Sequence, residues 1–186
     1  MEKLYIRSRE LLEDSFRLAA AIYASGFRPH FIVGIWRGGS PVGIAVQEYF
    51  EFRGVETDHI AIRTSSYTDI GKQSKKIRVH GLHYIIENVN AEDALLIVDD
   101  VFDSGRSIKA VLDELAEKTR RNMPVDFKIA CPWYKPDNNR TGIAPDYYIH
   151  ETDKWLVFPH ELAGLTIEEI RQRKQDLSNI CDLLVD

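Results

Sequence analysis

The stretch LLIVDDVFDSGRS, residues 95–107, sets Asp99, Asp100 and Asp103 between an apolar run and a small-residue turn. Asp99 and Asp100 are consecutive at a strand end, so their side chains splay apart and can bracket a pair of hydroxyls. Carboxylates are strong acceptors for a sugar diol, and they also hold Mg2+ directly or through water. Ser104, Gly105, Arg106 and Ser107 then open a helix, where free backbone N–H groups and hydroxyls make a phosphate cradle. Diol acceptors beside a phosphate cradle point to a phosphorylated ribose. Asp103 or Ser104 could serve as an ordinary helix N-cap. Capping accounts for one of these residues and leaves the carboxylate pair before it unexplained.

Such a site needs a scaffold, and the rest of the chain supplies its pattern. Leu12, Phe16, Ala19, Ala20 and Tyr23 repeat at helical spacing, with Gly26 as a stop. FIVGIW, residues 31–36, reads as a buried strand, and a second helix carries Val42 to Phe50. HIAIRTSS, from His59, reads as another strand, and the polar, basic YTDIGKQSKKIRVHG after it is too weakly patterned to be core. ALLIVDD is the clearest strand, and Ile108, Val111, Leu112 and Leu115 stripe the next helix. FKIACPWY and DYYIHE are later strands, and the tail from Thr166 is helical, with Leu177, Ile180, Cys181 and Leu184 on one face. Strands alternating with helices predict an α/β fold whose central parallel sheet is flanked by helices. Ligands in such sheets gather at the carboxyl ends of the strands. WRGG, residues 36–39, and the aspartates would meet at that edge.

The 186 residues fit one domain, with 44% hydrophobic and 28% charged residues, the balance of an ordinary globular chain. A net charge of −5 supplies no basic field for general nucleic-acid binding. Cys131 and Cys181, the two cysteines, have no metal-like or redox-like spacing and read as buried thiols. No secretory leader pattern is visible, and no apolar run approaches the ~20 residues of a membrane span, so a cytoplasmic location without membrane contact is expected. Neither an internal repeat nor a low-complexity segment is present.

The carboxylate stretch resembles the signature of the type I phosphoribosyltransferases, enzymes that use phosphoribosyl pyrophosphate (PRPP). Phe102 is bulkier than the aliphatic residue usual at its place. The resemblance covers roughly residues 30–162 and implies one phosphoribosyltransferase domain over 1–165, a small C-terminal hood from about 132–165, and a tail over 166–186. It implies that Asp99 and Asp100 bind the ribose hydroxyls, that Asp100 helps to hold the Mg2+ cofactor, and that Ser104, Gly105, Arg106 and Ser107 take the 5′-phosphate. WRGG stands where the family's pyrophosphate loop falls. Its glycines let the backbone approach an anion and Arg37 adds a fixed charge, so Arg37, Gly38 and Gly39 join the PRPP set, with a cis peptide expected between Trp36 and Arg37. Ser66 and Tyr67 match the root of the family's mobile flap, and Lys72, Lys75 and Lys76 are candidate pyrophosphate contacts.

The base is read from three further places. Asp103 looks like the aspartate of the 6-oxopurine branch, which meets N7 of the base and moves its proton. Lys135, in WYKP, stands where those enzymes place the lysine that reads O6, and it would reject the amino group of adenine. DKWLVFPHE resembles the segment of the xanthine-guanine enzymes in which Trp155 would stack on the purine and Leu156 would offer backbone groups, with Asp153 nearby. His160 reads as a structural histidine. The resemblance thus implies a pentosyltransferase of purine salvage that joins PRPP to hypoxanthine, guanine or xanthine as a homo-oligomer, dimer or tetramer, with Asp103 and Arg37 as the catalytic residues. The alternative is a non-catalytic regulator on the same fold that senses PRPP or nucleotide or binds RNA. Such regulators typically carry tyrosine where this chain has Asp103.

Overall fold

ALLIV, residues 94–98, is buried from end to end, with Ala94, Leu96 and Val98 facing one hydrophobic layer and Leu95 and Ile97 the other. Only a strand covered on both faces permits that alternation of apolar side chains. The computed structural model, which describes residues 2–68 and 75–184, sets this run at the centre of a mixed sheet. The elements are β1 (Lys3–Tyr5), α1 (Ser8–Ala24), β2 (Phe31–Trp36), α2 (Gly39–Phe52), β3 (Asp58–Thr68), β4 (Lys75–His80) and α3 (His83–Asn88). They continue as β5 (Ala94–Val98), β6 (Val101–Phe102), α4 (Arg106–Thr119), β7 (Asp126–Tyr134), β8 (Tyr147–Glu151), β9 (Trp155–Val157) and α5 (Ile167–Arg173), followed by a 3-10 run, Gln175–Leu184.

The main sheet runs β4-β3-β2-β5-β7, with β6 extending the β5 side of β7 and β8 on the other side of β7. Its pairings are parallel except β3–β4, an antiparallel edge pair. The polar stretch after Tyr67 therefore includes a strand, β4, which an edge position allows because one side of an edge strand faces water. Helices α1 and α2 cover one face through Leu11, Leu18, Ile22, Val42, Val46 and Phe50. Helices α3 and α4 cover the other through Ile85, Ile108, Val111 and Leu115.

Two expectations need correction. Helix α1 buries Leu11, Asp14, Ser15, Leu18, Ala19 and Ile22, while Leu12 and Phe16 are exposed. Polar groups take the inner face because each finds a partner: Ser15 donates to the Leu11 carbonyl at 2.6 Å, and Asp14 pairs with His150 at 2.8 Å and Arg17 at 2.7 Å. The tail is a short α5 and a 3-10 run that bury Ile170 and Cys181, leaving Ile180 and Leu184 outward. Strand β9 pairs with the N-terminal β1 in a separate two-stranded sheet, whereas β7 and β8 lie in the main sheet. Cys131 and Cys181 are both buried free thiols. Among the described residues no helix is long and apolar enough to cross a membrane.

Candidate active site

From β2 the chain passes outward to β3, and from β5 it passes the opposite way to β7, so the order reverses between β2 and β5. A crevice forms at the carboxyl ends of such a strand pair because the connections leave in opposite directions. The register sets Gly34 beside Val98, so WRGG and the Asp99–Asp100 pair emerge side by side. The peptide between Trp36 and Arg37 is cis, as expected. Gly38 and Gly39 lie directly on the acids. A Cβ at Gly38 would overlap the Asp100 carboxylate, and one at Gly39 would stand 2.5 Å from the Val98 carbonyl oxygen and 2.9 Å from Asp99 Cα. Glycine is required here for close approach. Arg37 stays exposed at the rim, near enough for its charge to act on His160.

The sheet continues past the acids. Asp99 donates its backbone N–H to the Ala130 carbonyl at 3.1 Å, and Trp133 donates to the Asp100 carbonyl at 3.3 Å. Asp99 Oδ1 accepts the Asp100 N–H at 3.0 Å. Burial pushes the Asp99 carboxyl well above the usual carboxylate range, and the charge of Asp100 adds to this. Burial likewise pushes Asp100 up to about 6. Two crowded, desolvated carboxylates favour a ligand that brings positive charge or hydrogen-bond donors. Among the described residues no group of three His, Cys, Asp or Glu side chains stands ready to cage a metal. Mg2+ needs no such cage, since it takes one or two carboxylates and completes its shell with water and substrate phosphates. The donor chemistry of Asp99 and Asp100 fits it.

Beyond the acids the Ser104–Ser107 loop turns on Gly105, at φ +74°. A Cβ there would also meet Thr141 Oγ1 at 2.5 Å and the Phe102 ring at 2.7 Å. The bulk of Phe102 is thus accounted for: its buried ring floors the loop and packs edge-on against Tyr134 with centroids 5.6 Å apart. Arg140 N–H donates to the Ser104 carbonyl at 3.1 Å, tying a second loop behind the first. Ser104, Arg106 and Ser107 line a polar cavity of about 290 Å³ together with Thr64, Ser66 and Ile77. Ser66 is therefore brought to the Ser104–Ser107 loop. Tyr67 stands opposite Lys76, and Thr68 opposite Lys75, in the β3–β4 ladder, while Lys72 lies outside the described residues.

On the other flank Lys135 is buried at 7% exposure, its N–H bonded to the Phe102 carbonyl at 2.9 Å and its Nζ 3.6 Å from Asp103 Oδ2. A buried ammonium and a carboxylate at that spacing are an ion pair, longer than a hydrogen bond, that sets a donor beside an acceptor. Trp155 and Leu156 sit on β9, in the separate two-stranded sheet. Trp155 is 55% exposed, open to a stacking partner, whereas Leu156 is buried. His160, read from the sequence as structural, places its Nε2 3.8 Å from Asp100 Oδ2. No spacing signal reveals that contact, because His160 and Asp100 come from different strands' ends. Thr64 and Thr141 likewise carry no signal.

The model of the phosphoribosyl transferase domain family matches residues 5–163. The chain is 30% identical to a hypoxanthine-guanine phosphoribosyltransferase of Lactococcus lactis subsp. lactis (strain IL1403), over 79% of this chain and 75% of that one. It is 30% identical to the bifunctional protein PyrR of Corynebacterium diphtheriae over 52% of this chain, and spans about half (51%) of that relative's length. Among solved structures, a purine phosphoribosyltransferase from Pyrococcus horikoshii Ot3 superposes with a TM-score of 0.68 at 26% identity, covering 89% of this chain and 98% of its own.

Proposed function

Because the chain belongs to the phosphoribosyl transferase domain family, we propose that it transfers the 5-phosphoribosyl group of PRPP to N9 of a 6-oxopurine, releasing pyrophosphate. The observation that carries this reading is the Lys135–Asp103 pair, 3.6 Å apart, beside the ribose acids. On a 6-oxopurine, O6 and N7 are neighbouring edge atoms, and O6 is an acceptor where adenine has an amino donor. Lys135 donates to O6. Asp103 receives the proton of an N7–H tautomer as the N9 lone pair forms the bond to C1′ and the C1′–O bond to pyrophosphate breaks. Asp99 and Asp100 hold the ribose hydroxyls, and Ser104, Gly105, Arg106 and Ser107 anchor the 5′-phosphate, so the ribose is held at both ends and C1′ is fixed between them. Arg37, with the backbone of Gly38 and Gly39, stabilises charge gathering on the leaving group. Mg2+, which Asp100 would help to hold, would neutralise pyrophosphate charge. Trp155 stacks on the base and Leu156 meets its edge through backbone groups.

The second reading is a non-catalytic regulator on the same fold that senses PRPP or nucleotide or binds RNA, and the similarity to the bifunctional protein PyrR is the reason to weigh it. The net charge of −5 and Asp103 weigh against it. Chromatography of the products from Mg2+, PRPP and hypoxanthine or guanine separates the two. A nucleoside 5′-monophosphate supports the enzyme. Its absence, together with salt-sensitive RNA retention on a filter, supports the regulator.

A further inference from the structure

The C-terminal segment is fastened to the hood at two points. At its start, Thr166 Oγ1 caps α5 by accepting the Glu169 N–H at 3.2 Å, and Glu169 Oε1 in turn accepts from Lys3 Nζ and, at 3.0 Å, from the Tyr5 hydroxyl. Strand β1 carries Lys3 and Tyr5, and it pairs with β9, so α5 is tied to the strand of Trp155 and Leu156. At its end, Lys174 is 5% exposed, and its Nζ donates to the carbonyl of Phe158 and, at 3.3 Å, to that of Pro159. A buried ammonium is costly, and a position that needed only packing would be filled more cheaply by methionine or leucine. What lysine adds here is a grip on two carbonyls of one turn.

That turn leads to the ribose acids. Glu161 N–H donates to the Phe158 carbonyl at 3.0 Å, and Glu161 Oε2 accepts the Phe158 N–H at 3.0 Å, closing residues 158–161 on themselves. His160 rides on the turn, its ring parallel to that of buried Phe158 at 5.9 Å between centroids. Its Nε2 faces Asp100 Oδ2 at 3.8 Å. We infer that Lys174 is a positioning residue for the ribose site: it fixes the Phe158–Glu161 turn, and the turn sets His160 against Asp100, steadying the carboxylate that takes the ribose hydroxyls. The inference rests on the reading of Asp100 as a PRPP ligand.

The test is a double-mutant cycle on the dissociation constant for Mg2+·PRPP, measured by titration calorimetry in the full chain. Lys174→Met weakens binding about 5- to 10-fold, the loss of one hydrogen bond's worth. His160→Ala does the same, and the double variant is no more than about twofold worse than His160→Ala, because the two act in series. Hydrogen exchange of the amides of residues 158–161, followed without substrate, speeds up in Lys174→Met. Additive losses in the double variant, or faster exchange with wild-type affinity, would overturn the inference. If Lys174→Met fails to fold, His160→Ala alone decides, since unchanged affinity there removes the route from the turn to Asp100. Wild-type protein that binds Mg2+·PRPP but turns over no base sinks the proposed activity and leaves this cycle readable. Wild-type protein that binds no PRPP overturns both.

Discussion

Gly38→Ala, Gly39→Ala and Gly43→Ala form a graded test of how the glycine loop meets the acids. Gly38 has φ −68° and ψ −33°, a conformation alanine adopts freely, so any effect comes from the added methyl alone. That methyl would overlap the Asp100 carboxylate and lie 2.8 Å from its Oδ1. A carboxylate can swing away at modest cost to folding, about 1 kcal/mol of overpacking, but it then leaves the ribose hydroxyls. Loss of hydrogen bonds to a charged group is worth about 1.5–3 kcal/mol, which raises the dissociation constant for Mg2+·PRPP roughly 10- to 150-fold. At Gly39 the methyl meets the backbone of Val98 and Asp99, which cannot swing. The cost there is about 3 kcal/mol of stability, or roughly 6–12 °C in Tm for a chain of this size. Gly43, inside α2, would meet only Gly34 Cα at 3.6 Å, an ordinary contact. Alanine there gains about 0.5–1 kcal/mol from helix propensity. Calorimetric titration and thermal melting read all three variants. Wild-type PRPP affinity in Gly38→Ala, or equal melting losses at Gly38 and Gly39, would refute the argument that the loop is glycine because of the acids.

Asp103→Asn should lower kcat by about 100-fold or more while leaving PRPP affinity within about threefold, and single-turnover kinetics checks it; equal turnover removes Asp103 from the chemistry. Lys135→Met keeps the side chain's length without its charge, so KM for the 6-oxopurine should rise by about tenfold or more with PRPP affinity unchanged; initial-rate kinetics with the base varied is the check. Asp100, pushed up to about 6 by burial, keeps its proton in the folded chain where the unfolded chain, with a carboxyl near 3.8, has lost it. Its contribution to stability is therefore present below pH 3.8 and lost as pH rises through about 6. Mg2+·PRPP takes the ionised form, so it should raise Tm more at about pH 7.5 than at about pH 5.5, and binding at the lower pH should release protons; differential scanning fluorimetry across pH reads this directly. Glu169 is held down to about 2 by its bond from Lys3, with Thr166 and Tyr5 assisting. Its contribution is present above the usual glutamate value and fades as pH falls toward 2, so the C-terminal segment should become protease-sensitive at acid pH before the sheet melts.

The centre of this site is legible because its chemistry is local in sequence. Asp99, Asp100, Asp103 and the Ser104–Ser107 loop are contiguous, and the apolar run before them marks a strand whose carboxyl end is where ligands collect. WRGG is legible for the same reason, as a glycine loop after a buried strand. The proposed base side depends on partners 32 residues apart in the chain, Asp103 and Lys135, and only the resemblance to a family joins them. His160, Thr64 and Thr141 are not legible, since their relation to the site exists only after β9, β3 and the loop after β7 are placed. Apolar spacing misleads on the α1 face because it ranks Leu12 and Phe16 above Asp14 and Ser15. Partners distant in sequence, such as His150, reverse that ranking. Lys174 is the extreme case: a lysine in a tail reads as a solvated charge until two carbonyls enclose it.

Pyrophosphate release by the purified chain with Mg2+ and PRPP, given hypoxanthine, guanine, xanthine, adenine, orotate or uracil one at a time, tests the central claim most directly. Turnover confined to the first three is the predicted result and identifies Asp103 and Lys135 as the base-reading pair. Turnover with adenine or a pyrimidine would contradict that pair's role, and silence with every base would contradict the activity itself.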